Sequence, residues 1–404
     1  MSRLHILLLH QAFVALDEAG GTRHLEFARY LVASGNQVTV IASPVSYLTG
    51  RETPSNDEVI DGVRILRAYT HRALHRSFVH RVLSFLSFAF SSFFIGLRVK
   101  EVDIVWGTTP PIFQAASAWL LARLKGARFL LEVRDLWPAF AIAVGVLRSR
   151  TLIAASEWLE RFLYRRADQI MINSPGFREH IAARGGERIE LVPNGADAAM
   201  FDPAGKGADF RRQHGLEGKF VVLYAGAHGL SNDLGVVVQA AADVRDQPEI
   251  AIVLLGDGKD KPALIEQARA LGLDNLHFVD PLPKTAMAQA LAAADACLAI
   301  LKPIAMYKTV YPNKVFDYMA AGRPVLLAID GVIRRAVEDA EAGVFVPPGD
   351  AGVLAAAIKG LASDPQAAAR MGRKGRAYLM QHFNRPELAS RFEALLQQLD
   401  GKDI

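Results

Sequence analysis

The sequence predicts an α/β protein built from two doubly wound, Rossmann-like domains. Three observations predict the two α/β domains. Short apolar strands alternate with helical segments, and the alternation restarts after a Gly-, Pro- and charge-rich stretch at 202–218. The strands are unbroken apolar runs, as in parallel sheets covered on both faces. At 404 residues the chain is also too long for one ordinary α/β domain and fits two.

In the first half, His5–Leu9 reads as a strand, Gly20–Ala33 as a helix and Gln37–Ala42 as the next strand. Asp103–Trp106, Ala127–Val133 and Gln169–Ile172 are further strands. The second half repeats the pattern at Phe220–Tyr224, Ile250–Leu255, Leu276–Val279, Ala296–Ile300 and Val325–Ile329. Helices close the chain at 350–361, 366–378 and 386–399. Domains are expected at 1–202 and 203–385, with 386–404 packing back on the first. In such folds ligands bind at the carboxyl ends of strands, here expected in a cleft between the domains.

Composition is globular, 51% hydrophobic and 22% charged. The single cysteine, Cys297, lies in an apolar stretch and reads as core packing. Met1–Leu9 has no secretory pattern, so a cytoplasmic, reducing location is expected. Residues 1–200 carry 23 Lys/Arg against 18 Asp/Glu, so +5; the remainder carries 23 against 24, so −1. The first domain is therefore the one expected to meet an anionic surface. No basic tract with interleaved aromatics is present, and nucleic acid is not an expected partner.

Lys308-Thr-Val-Tyr-Pro-Asn-Lys-Val-Phe-Asp-Tyr-Met-Ala-Ala-Gly-Arg-Pro-Val-Leu326 reads as loop, helix and buried strand. Pro312 suits the first turn and Gly322 the end, with Pro324 preventing continuation. Lys314 then falls in the first turn, where a cation is unfavourable unless an anion lies beside it. Lys308 precedes it, and Asp317, three residues on, shares its helix face. A carboxylate beside a phosphate site can accept from ribose hydroxyls, so the pattern points to a nucleotide.

Glu132-Val-Arg-Asp-Leu-Trp-Pro138, Leu191-Val-Pro-Asn-Gly-Ala-Asp197 with Phe201, Thr108-Thr-Pro-Pro111 and Pro312–Pro324 occur in this order. Together they resemble retaining glycosyltransferases of family GT4, and among these the WbuB/WcaI-like subgroup of bacterial surface-polysaccharide synthesis. The resemblance covers almost the whole chain. It implies the GT-B fold, a nucleotide diphosphate-sugar donor such as a UDP-sugar, and transfer of a hexosyl or N-acetylhexosaminyl group to a polyprenyl-diphosphate-linked saccharide.

It also implies that Asp317 holds the ribose diol. Thr309 stands where the family usually has a glutamate, so backbone at Met306–Val310 is expected to meet the sugar, with Val310, Tyr311 and Asn313 alongside. The family's Arg/Lys diphosphate clamp is absent from Gly226-Ala-His-Gly-Leu-Ser-Asn-Asp-Leu234, so Lys308 and Lys314 are expected to supply that charge as the diphosphate leaves. His228 either touches a phosphate or faces solvent. Gly258, in Gly256-Asp-Gly258, and Val279 end neighbouring strands and are further donor candidates. Gly20, Gly21, Thr22 and Arg23 follow the first strand, where they either approach an acceptor or phosphate or relax a loop.

Asp135 follows the strand ending at Val133. It either pairs with Arg134 or receives an acceptor hydroxyl or its proton. In a front-face reaction the leaving phosphate does most of the deprotonation, which leaves Asp135 a supporting role. Without an Asp-x-Asp pair or a His/Cys cluster of metal spacing, no essential metal or other cofactor is expected. A nucleotide-sugar epimerase and a non-catalytic membrane subunit are the competing readings.

Residues 62–100 carry seven Lys/Arg and no Asp/Glu. Within them Val82–Leu97 is apolar except for serines and Gly96, with Ser84, Ser87 and Ser91 at helical spacing forming a narrow polar stripe and five phenylalanines between 85 and 94. At 16 residues the run is short of the ~20 that span a bilayer. It is either a buried helix or an interfacial one. The expectation is a helix with one face on the domain and one on anionic lipid, through Arg72, Arg76, Arg81, Phe85 and Phe88. The enzyme is thus expected to be peripheral on the inner face of the cell membrane.

Overall fold

A computed structural model describes residues 3–401 other than 17, 19, 47–51, 53, 54, 73–77, 202, 204 and 206. The chain forms two units. One comprises Met1–Ala15, Gly20–Pro193 and Pro386–Ile404; the other comprises Leu16–Ala19 and Asn194–Arg385. The division falls after Pro193, not after 202, because Ala196, Ala198 and Phe201 sit in the core of the second unit.

The strands of the first unit are β1 (His5–Leu9), β2 (Gln37–Ala42), β3 (Asp57–Ile60), β4 (Val63–Arg67), β5 (Ile104–Thr109), β6 (Arg128–Val133), β7 (Gln169–Ile172) and β8 (Ile189–Leu191). Its helices are α1 (Arg23–Ala33), α2 (Phe78–Arg98), α3 (Ile112–Lys125), α4 (Ala139–Ala143), α5 (Arg150–Arg166) and α6 (Arg178–Ala182). The sheet order is β3-β4-β2-β1-β5-β6-β7-β8, parallel except for the β3–β4 hairpin. The hairpin escapes the sequence pattern because both strands are short and charged and β3 lies at the sheet edge. The last helix of the chain, Arg385–Asp400, closes this unit: Phe392 packs on Phe27 and Trp106, at 5.3 and 4.7 Å between centroids.

The second unit holds β9 (Phe220–Ala225), β10 (Ile250–Leu255), β11 (Leu276–Val279), β12 (Ala296–Ile300), β13 (Val325–Ala328) and β14 (Gly343–Phe345). Its helices are α7 (Gly207–Gln213), α8 (Leu234–Asp243), α9 (Lys261–Ala270), α10 (Lys284–Ala293), α11 (Asn313–Ala320), α12 (Val332–Asp339), α13 (Ala351–Ser363) and α14 (Pro365–His382). The order β11-β10-β9-β12-β13-β14 is parallel throughout. Successive residues of β9 enter opposite cores: Val221 and Leu223 face one helical layer, Val222 and Tyr224 the other. Cys297 is buried in the first of these cores. Strand order reverses between β9 and β12, the position at which doubly wound sheets bind ligands.

α2 is longer than its apolar core, running 21 residues. By length and composition it is the one candidate spanning helix among the described residues. One face is nevertheless packed on the unit. Phe88 is fully buried, Ser117 of α3 donates to the Ala89 carbonyl at 2.8 Å, and Gly96 lies against Leu121. The serine stripe is also inward. Ser84 receives Gln11, Ser87 receives the His71 N–H, and Ser91 donates to the Tyr69 carbonyl. Phe88 is therefore a core residue and not a lipid contact. Arg72 is paired with Glu52 at 2.7 Å, Arg81 and Phe85 are half-buried, and Arg76 lies outside the described residues.

Candidate functional site

At the carboxyl end of β9 the chain turns at Gly226, whose φ of +152° excludes most side chains. A Cβ there would stand 2.7 Å from the Lys314 ammonium. That lysine, in the first turn of α11, reaches back over the Tyr224 ring, 3.9 Å from its centroid. Burial pulls its pKa down to about 7. Among the described residues it has no hydrogen-bond or ion-pair partner. The sequence therefore builds a half-buried lysine at the switch point, with glycine making room for it.

His228, two residues on, is fully buried, and both ring nitrogens lack partners among the described residues. Burial lowers its pKa to about 4, with Lys261 and Lys314 adding to the effect against Asp257. A neutral imidazole offers one donor and one acceptor. The Gly256–Gly258 turn lies backbone-on-backbone against this loop: a Cβ on Gly258 would be 2.3 Å from the His228 carbonyl oxygen. Gly258 thus serves loop packing. Val279 is a core residue whose carbonyl receives the Gly256 N–H at 2.9 Å. A cavity of about 130 Å³ lined by His228, Gly229, Asp233 and Lys302 adjoins the loop, too small to enclose a nucleotide.

The other predicted donor residues lie along α11 and the turn before it. Both Asp317 oxygens accept from Lys284, at 2.7 and 2.8 Å, and Lys284 also lies over the Phe201 ring. The charged ends of Lys314 and Asp317 thus diverge, one to Tyr224 and one to Lys284. Lys308 is exposed and paired with Asp330 at 2.9 Å, so it is not the second free cation that the sequence implied; Asp330, beyond β13, was the unseen partner. Thr309 donates to the Met306 carbonyl at 2.6 Å, the Val310 N–H reaches the Tyr307 carbonyl, and the Tyr311 carbonyl accepts from Asn194 at 2.7 Å. Asn313 is exposed.

In the first unit, Gly20 and Gly21 are exposed, but Thr22 and Arg23 turn inward. Thr22 donates to Glu26. The Arg23 guanidinium is consumed by Glu132 at 3.1 Å and by the Val192 and Pro193 carbonyls at 2.7 Å each. Arg23 is a structural cation and not a phosphate ligand. Glu132 is fully buried and also receives His24 at 2.7 Å and the Trp106 indole at 3.1 Å. Burial pushes its pKa up, but His24, Arg23 and Arg134 outweigh that and hold it at about 2. The His10 ring lies against that of His24, tilted by 41° with centroids 4.1 Å apart.

Thr109, Val133 and Ile172 lie side by side across β5, β6 and β7. Asp135, just beyond, is pushed up to about 6 by burial, opposed by Arg134 and the Leu136 N–H. It makes no ion pair with Arg134, whose guanidinium reaches the Pro110 carbonyl at 3.0 Å. Its Oδ1 has no partner among the described residues. A carboxylate poised near neutrality with one open oxygen can receive a hydroxyl. Among the described residues no group of three His, Cys, Asp or Glu is placed to hold a metal ion.

Residues 19–195 match the glycosyl transferase 4-like domain, and residues 207–378 match glycosyl transferases group 1. The chain belongs to the GT4 family of glycosyltransferases. The Escherichia coli K12 protein described as putative colanic acid biosynthesis glycosyl transferase WcaI is 27% identical over 313 residues, 74% of this chain and 76% of that one. By fold, this glycosyltransferase is similar to the sucrose-phosphate synthase of Thermosynechococcus elongatus, at TM-score 0.78, 21% identity and coverage of 98% and 99%. It is also similar to Anabaena HepE in complex with UDP-glucose, at TM-score 0.73, 17% identity and coverage of 98% and 100%. The fold is thus that of GT-B glycosyltransferases. Lys284, His24 and His10 were missed in the sequence. Lone polar residues give no signal until the fold supplies their partners.

Proposed function

We propose that this glycosyltransferase moves a sugar, with retention, from a UDP-sugar onto a polyprenyl-diphosphate-linked saccharide in surface-polysaccharide synthesis. The observation that carries the donor half is Lys314: a half-buried ammonium without a partner among the described residues, beside a glycine turn and His228, fits a diphosphate. Asp317 lies further along α11, held by Lys284 of α10, and there the ribose diol would exchange with the Lys284 contact. HepE binds UDP-glucose and WcaI is named for colanic acid synthesis, which supports the donor and pathway class. Asp135 would orient the acceptor hydroxyl, while the leaving phosphate takes its proton. Lys314 provides charge at the diphosphate, so the reaction is proposed to need no metal.

The membrane half rests on α2. Its exposed side chains Val79, Leu83, Leu86, Phe90, Phe94 and Leu97 recur every three or four residues, a single apolar stripe facing away from α3. Such a stripe on a basic unit suits the cytoplasmic surface of an anionic bilayer, where a lipid-linked acceptor resides.

Incubation with UDP-sugars and a polyprenyl-diphosphate saccharide, with and without chelator, tests the reading. The expected product is a lipid one sugar longer, of α configuration from an α-linked donor, formed equally with chelator and strongly slowed by Asp135→Asn. An isomerised donor would show an epimerase instead. Donor left intact across the panel would show a binding subunit.

A further inference from the structure

The apolar surface does not stop at α2. α3 packs between α2 and α5 on one face of the sheet: Ser117 reaches Ala89 on one side, and Trp119 meets Phe162 on the other, with centroids 4.7 Å apart. Facing outward beside the α2 stripe are Leu120 and Leu124 of α3 and Leu152 and Trp158 of α5. Trp158 is 64% exposed, yet it is not loose. It stacks on Phe162 at 5.5 Å, and the Arg166 guanidinium lies over that ring. An exposed indole on a fixed aromatic base is costly in water and favourable at a bilayer interface.

The charge around it is predominantly positive. Arg98, Arg123, Arg150, Arg161, Arg165 and Arg166 are exposed on these three helices. The acids present are Glu157, paired with Arg161, and buried Glu160, paired with His180 and Arg184. We infer that the first unit rests on anionic lipid through the whole α2–α3–α5 layer, with Trp158 as an interfacial anchor. The sheet then runs along the bilayer about one helix diameter, ~10 Å, above it. This rests on the membrane reading of α2, and the test separates the two.

Vesicles of phosphatidylcholine and phosphatidylglycerol in equal amounts, with brominated acyl chains, are added to the full chain. Binding is read by co-sedimentation and depth by tryptophan quenching. The expected result is quenched fluorescence, with most of the quenching lost in Trp158→Phe while that variant still sediments. Arg150→Gln and Arg165→Gln should each weaken binding about fivefold. Vesicle binding with quenching unchanged by Trp158→Phe, or affinity unchanged by the arginine variants, would overturn the inference and leave the α2 contact standing. Absence of binding would overturn both. A concentration-dependent dimer abolished by Trp158→Ser, without vesicle binding, would assign the face to a second copy.

Discussion

Glu132 shows how much of the first unit depends on charges brought together over long sequence distances. Its partners Arg23 and His24 lie more than a hundred residues away. Glu132→Gln deprives the buried Arg23 guanidinium of its carboxylate, so it should cost about 3–5 kcal/mol in denaturant unfolding. Because the folded carboxyl sits near 2, below its ordinary 4.5, its contribution is full above pH 4.5 and disappears as pH falls through about 2. Wild type and variant should therefore converge in stability across that window and stay separated above it. The motif containing Glu132 was legible as a family resemblance. Its network was not, since no local spacing encodes a pair such as Arg23–Glu132. Lys308 failed for the same reason: its excess charge was visible, whereas the Asp330 that neutralises it lies beyond the next strand.

α2 divides along its length into a buried and an exposed face. Phe88→Ser should destabilise the unit by about 3–5 kcal/mol, as large-to-small core changes do. Phe90→Ser with Phe94→Ser should leave the thermal midpoint unchanged and weaken vesicle sedimentation, since Phe90 is 70% exposed. Loss of stability in the second variant, or none in the first, would reverse the assignment of faces. The sequence displayed five phenylalanines, a serine stripe and flanking cations. It could not say which phenylalanine faced outward, because α3 decides that through Ser117 and Leu121.

At the level of the whole molecule, two parallel sheets were legible because their strands are apolar on both faces and the pattern restarts. The division point was not: the Gly-, Pro- and charge-rich stretch at 202–218 marks the restart, whereas Ala196, Ala198 and Phe201 before it already belong to the core of the second unit. The account's central claim is that this second unit holds a nucleoside diphosphate through Lys314. Calorimetric titration of UDP into wild type and Lys314→Met, at about pH 6 and about pH 8, tests it most directly. With a free-lysine pKa of about 7, the cation is abundant at the lower pH and scarce at the higher. Wild type should bind about ten- to a hundredfold more tightly than Lys314→Met at pH 6, as expected for a charge-assisted contact, and should lose about tenfold of that advantage by pH 8. Equal affinity of the two proteins at both pH values would contradict the claim.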